Sequence, residues 1–167
     1  METSAAGAEL FAETAGGSIT AGEVWGAATM ATSGGNIKLT SARGEVIAST
    51  MGGWLKLLGL SHGVRAQTHA GPIWAEFTRG AKMTDSALET SHGHVIVLLP
   101  ANIAITVDAA IEVSQSHTIR SEFTELKVRT EGDWGPRQVF AGGDINGGGP
   151  VMRVRTTLGN IELRKVK

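Results

Sequence analysis

The sequence predicts an all-β protein, a right-handed parallel β-helix (β-solenoid) of 18–22-residue rungs with irregular C-terminal rungs. Three observations lead there. A six-residue phrase recurs: TAGGSI at 14–19, TSGGNI at 32–37, TMGGWL at 50–55, THAGPI at 68–73, TSHGHV at 90–95 and TTLGNI at 156–161. Apolar and polar residues alternate on both sides of each phrase, the period of a half-buried strand. The chain also holds 23 glycines but 4 prolines, with 4 Trp, 4 Phe and no Tyr, a composition of short strands and tight turns.

The opening threonines stand at 14, 32, 50 and 68, a spacing of 18, then at 90, 22 further on, and at 156, which is 66 or three times 22 beyond. A fixed period of this size is the mark of a solenoid. The positions four and two before each threonine are Leu10/Ala12, Ala28/Met30, Val46/Ala48, Val64/Ala66, Ser86/Leu88 and Met152/Val154. Those five and seven after it are Ile19/Ala21, Ile37/Leu39, Leu55/Leu57, Ile73/Ala75, Val95/Val97 and Ile161/Leu163. The intervening positions are mostly polar, among them Ser49, Gln67, Glu89, Lys38 and Lys56. Each unit is therefore strand, sharp corner, strand with one apolar face, and stacking the units in parallel buries that face continuously. Right-handed coiling is the default for parallel connections. An antiparallel sandwich or barrel is the competing architecture, since short strands at regular spacing build those too.

The structural corner residues are Thr14 and Gly17, Thr32 and Gly35, Thr50 and Gly53, Thr68 and Gly71, Thr90 and Gly93, and Thr156 and Gly159. Glycine is expected there because the corner needs positive φ or a close backbone approach. Each threonine lies two residues after an inward apolar position, so it points inward and its hydroxyl is expected to bond corner backbone groups. That parity argues against an outward hydroxyl row that orders water.

From about 98 to 141 the pattern loosens. A proline break, the alternating run Ile103 to Val113, a polar turn near Ser114–Thr118, ELKVRTEG and the loop DWGPRQ read as irregular rungs and a C-terminal closure. No composition shift divides the 167 residues, so 1–167 is expected to be one domain, with 1–7 a loose N-terminal end. Only TSAAGAELF precedes the first full motif, so the first rung is expected to expose an edge there. A monomer, or a weak dimer formed end to end, follows.

A net charge of −1 and the absence of a basic patch argue against nucleic acid as a partner. No apolar run approaches a membrane span, so no direct membrane insertion is expected. Cysteine is absent, which removes disulfides, thiolate metal sites and a cysteine nucleophile. The opening METSAAGAELF is not a signal peptide, so either the protein is cytosolic or an export signal has been removed.

The repeats, together with VIVLLPANIAITVDA, HTIRSEF and above all GGDINGGGPVMRVRTTLGNIELRK, resemble a bacterial adhesin-like family of unknown function, sometimes called the toastrack domain. The resemblance covers nearly the whole chain and is strongest over 86–164. It implies a β-helical domain, extracytoplasmic or displayed at the cell envelope, with no assigned catalytic residues.

His92 and His94 sit two apart, and His69 lies one position after the repeat threonine of the preceding rung, so the three are the metal candidates, with zinc the ion they would suit. Exposed corner positions that tolerate histidine explain them as well, and no metal or other cofactor is expected. GGDINGGG at 142–149 lacks the Gly-Lys-Ser/Thr ending of a phosphate cradle and the later ligands of an EF-hand, so it reads as a glycine-rich turn. No Ser/His/Asp arrangement has the context of a nucleophile, and no catalytic residue is expected. Trp25, Trp54, Trp74 and Trp134 do not share one position of the repeat, so no aromatic row for stacking a sugar polymer is expected. The leading expectation is a non-enzymatic, adhesin-like interaction, scaffold or sensory module whose partner is a protein or a surface glycan. A carbohydrate-binding or carbohydrate-acting β-helix is the alternative.

Overall fold

A computed structural model of the protein describes residues 2–3, 9–135 and 137–166. The expected loose end at 1–7 lies outside the described residues apart from 2–3. Every regular element among the described residues is a strand. Five pairs follow one another along the first part of the chain: β2 (Glu9–Thr14) and β3 (Ile19–Val24), β4 (Ala27–Thr32) and β5 (Ile37–Ala42), β6 (Val46–Thr50) and β7 (Leu55–Leu60), β8 (Val64–Ala70) and β9 (Ile73–Phe77), and β10 (Ser86–His92) and β11 (Val95–Pro100). A short β1 (Glu2–Thr3) precedes them. The rest are β12 (Ile105–Ser114), β13 (Ile119–Ser121), β14 (Lys127–Glu131), β15 (Arg137–Ile145), β16 (Val151–Leu158) and β17 (Ile161–Val166).

The first strand of each pair joins one sheet and the second joins another. The eight-stranded sheet runs β1-β3-β5-β7-β9-β11-β17-β13, and the nine-stranded sheet runs β14-β15-β12-β16-β10-β8-β6-β4-β2. Neither closes into a barrel. Pairing is parallel throughout except around β15, which is antiparallel to both β12 and β14.

Repeat positions stack without slip. Thr14 pairs with Thr32, Thr32 with Thr50, Thr50 with Thr68 and Thr68 with Thr90. The reason is the side-chain period of two: a one-residue slip would turn the whole apolar set outward. Among the inward positions named above, all but half-buried Leu10 are buried. Between the sheets lies one continuous core of Ala, Val, Ile and Leu, widened at its ends by Met30, Phe77 and Phe123.

The third-period spacing before Thr156 suggests intervening rungs, and the structure differs. Thr156 pairs directly with Thr90, so β16 stacks on β10 and β17 on β11. The intervening segment instead goes past that position. Its β12 lies on the far side of β16, and β13 lies on the far side of β17. The last repeat thus fills a slot between older parts of the chain. Ile111 occupies the threonine position of the next layer, paired with Thr156. The hairpin β14–β15 then covers β12, and the edge strand β14 is exposed at every residue, carrying Lys127, Arg129 and Glu131. Charges on a free edge discourage further pairing.

Among the described residues no helix is long and apolar enough to cross a membrane.

Candidate functional site

The corners explain the repeated phrase. Thr32 Oγ1 donates to the carbonyl oxygen of Gly17 at 2.8 Å, Thr50 to Gly35 at 2.8 Å and Thr68 to Gly53 at 2.8 Å. Thr90 donates to Gly71 at 2.9 Å and Thr156 to Gly93 at 3.0 Å. All five hydroxyl-bearing side chains are buried. Each threonine therefore satisfies a carbonyl of the preceding corner that water cannot reach.

Glycine is needed for the same contact. A Cβ at Gly35 would lie 2.2 Å from the Gly17 oxygen, and one at Gly53 would lie 2.1 Å from the Gly35 oxygen. Gly71, Gly93 and Gly159 meet the corner below them in the same way. Gly35 and Gly53 do not have positive φ, so close backbone approach, rather than a left-handed conformation, is what excludes a side chain.

A second polar ladder runs beside the first. The Asn36 N–H donates to Ser18 Oγ at 3.1 Å, and the Trp54 N–H donates to Asn36 Oδ1 at 2.9 Å. After Pro72, which has no N–H to give, it resumes: the Asn160 N–H donates to His94 Nδ1 at 2.9 Å and the Thr118 N–H to Asn160 Oδ1 at 2.9 Å. Because a backbone N–H can only donate, His94 Nδ1 is the acceptor and its ring proton sits on Nε2.

The three histidines do not form one cluster. The rings of His69 and His92 are 6.0 Å apart, while His94 neighbours His117 at 6.3 Å. Among the described residues no group of three His, Cys, Asp or Glu side chains is arranged to hold a metal ion. In GGDINGGG, Asp144 Oδ1 accepts from Thr106 Oγ1 at 2.7 Å, and the Asn146 amide donates to the Ala101 and Ile103 carbonyls at 2.9 and 2.7 Å. Asn146, Gly147 and Gly148 have φ of 50°, 91° and 79°, so this is a left-handed turn that returns the chain into β16. Its polar groups are spent on holding that turn.

The tryptophans are dispersed. Trp25 lies under the Arg43 guanidinium at 3.9 Å, Trp54 belongs to the corner ladder, Trp74 pairs with Lys56 and Ile96 across the eight-stranded sheet, and Trp134 lies 95 % exposed between β14 and β15.

The largest concavity lies on the outer face of the nine-stranded sheet. Three open depressions of about 490, 250 and 270 Å³ adjoin there, and Gln67 lines all of them. Ser49, Gln67, Glu89 and Arg155 stand one residue before the buried threonines and pair in register, forming one wall. Met51, His69, Ser91 and Thr157, one residue after the threonines, line the other. The groove thus crosses the strands and follows the stack. At one end its charges are mutually engaged: Arg155 Nη2 is 2.9 Å from Asp108 Oδ2, and Glu112 accepts from Thr157 at 3.1 Å. In the middle they are not. Gln67 and Glu89 have no hydrogen-bond or ion-pair partner among the described residues.

Gln67 and Glu89 are legible in the sequence as outward polar positions, but nothing there separates them from Lys38 or Lys56. Aligning the repeats reveals the column. That Arg155 turns to Asp108 and leaves Glu89 alone depends on β12 lying beside β16, a contact between residues 47 apart.

No family model, curated protein or solved structure matches the chain.

Proposed function

We propose that the protein is a non-enzymatic β-solenoid of the bacterial cell envelope, a right-handed parallel β-helix of 18–22-residue rungs acting as an interaction, scaffold or sensory module. The observation that carries this reading is the hydroxyl ladder from Thr32 to Thr156, which ties successive corners with five bonds of 2.8–3.0 Å. A body braced this way presents rows of outward side chains at fixed spacing, which suits recognition of an extended surface better than closure around a small molecule. The envelope location is supported by the resemblance carried on residues 142–165. The partner is a protein or a surface glycan, with the protein itself a monomer or a weak end-to-end dimer.

The test has two parts. Fractionation of the source cell is expected to recover the protein with the envelope, and recovery in the cytosol overturns the location. Immobilised protein is expected to retain envelope fragments and to release them unchanged. Liberation of soluble sugar or peptide products overturns the non-enzymatic assignment.

A carbohydrate-binding or carbohydrate-acting role is the second reading, and the polar groove over Gln67 and Glu89 is what favours it.

A further inference from the structure

We infer that the groove on the outer face of the nine-stranded sheet binds a neutral, linear polysaccharide laid along the stack, with Gln67 and Glu89 as its central contacts. This inference rests on the glycan reading above and assigns it a place and a ligand class.

The direction of the chain follows from the register. Ser49, Gln67, Glu89 and Arg155 are paired neighbours on consecutive strands, so equivalent side chains recur about every 4.8 Å across them. A ligand that runs the same way meets one wall residue per rung. Four rungs enclose three such intervals, about 14 Å in all, which accommodates a few sugar units.

The ligand class follows from what is free. A carboxylate accepts hydrogen bonds only, and a primary amide both donates and accepts. Neither has an intramolecular partner among the described residues, although Glu89 is half-buried. Together they suit vicinal hydroxyl groups, which give and take hydrogen bonds at short range. A polyanion would face Glu89 and Glu112, and a polycation would face Arg65, Arg153 and His69. The signs are interspersed, so a neutral ligand is the one opposed by none of them. The tryptophans lie elsewhere, and the sugar is held through its hydroxyl edge.

The test is calorimetric titration of the full chain with β-1,4-linked glucose oligosaccharides of two to six units, with dextran sulfate and tetralysine as charged alternatives. Affinity is expected to climb with each added unit up to about four and then level off, as a groove of about four rungs requires. Gln67→Ala with Glu89→Ala is expected to weaken binding about tenfold or more without shifting the melting temperature, each lost contact to a charged group being a substantial one. Glu89→Gln keeps the side-chain shape and should weaken binding severalfold. Lys38→Ala with Lys56→Ala, on the other sheet, should change nothing. Absence of oligosaccharide binding overturns the inference, as does preference for dextran sulfate or tetralysine, or binding that survives the double alanine variant. If envelope fragments are still retained while the oligosaccharides fail, the groove assignment falls and the interaction-module reading stands; if neither binds, both fall.

Discussion

The hydroxyl of Thr50 lies 2.8 Å from the carbonyl oxygen of Gly35, fifteen residues earlier in the chain and one corner below it. Two residues that look like separate items of a repeated phrase are the two halves of one bond between successive copies. Thr50→Val replaces the hydroxyl by a methyl of nearly the same size and leaves the Gly35 carbonyl without that donor. The expected loss is about 1–3 kcal/mol, the desolvation cost of an unpaired buried polar group. Urea melts check it, with Thr50→Ser, which keeps the donor, expected to lose less.

Gly35 tests the other half of the contact. A valine there must push its Cβ against the Gly17 carbonyl, at 2.2 Å in the unrelaxed backbone, whereas exposed Ser33 meets no such obstacle. Gly35→Val is expected to destabilise by several times as much as Ser33→Val. Similar melting temperatures for the two would show that the stack spreads at the corner without cost.

Ile37 is fully buried and Lys38, the next residue, is exposed. Ile37→Ala is expected to cost about 2–5 kcal/mol, the range for truncating a buried aliphatic side chain. Lys38→Ala should stay within about 0.5 kcal/mol, as for a surface change. Denaturant titration of the pair measures the inward and outward assignment directly.

Zinc is expected not to raise the melting temperature through His69, His92 and His94. His94 uses Nδ1 to accept from Asn160 and neighbours His117, leaving His69 and His92 as a pair 6.0 Å apart. An ion that binds only the folded state must stabilise it. A zinc-dependent rise that vanishes in His92→Ala would therefore contradict this expectation.

β2 is the last strand of its sheet, and Phe11 on it is 73 % exposed. Weak association through this end is expected to diminish in Phe11→Lys, read by light scattering over a concentration series. A dimer unaffected by the change would place the contact elsewhere.

The parity of the strands was legible because burial follows a period of two and leaves its trace in every repeat: Ile37 and Leu39 inward, Lys38 outward. The corner glycines were legible as a requirement, though the reason, a carbonyl of another copy in the space of a Cβ, needs both copies in view. The slot occupied by β16 and β17 was not legible. A motif says which strands are alike but not the spatial order in which they stack, and 66 is an equally good multiple of the period whether or not the intervening residues lie between. The antiparallel hairpin β14–β15 escaped for a related reason, since exposed KVRTE carries no apolar stripe to fix its position.

The insertion of the last repeat also bears on how the protein yields to force. β2 pairs on one side only, and a pull on it unzips one ladder. The C-terminal pair is held differently. β16 lies between β10 and β12, and β17 lies between β11 and β13, so withdrawing them shears two ladders in each sheet at once. Under tension between its two ends, the molecule should therefore fray from the N-terminal side, turn by turn, while the C-terminal side stays anchored until a higher load. Single-molecule extension would record small early steps followed by a late, larger rupture.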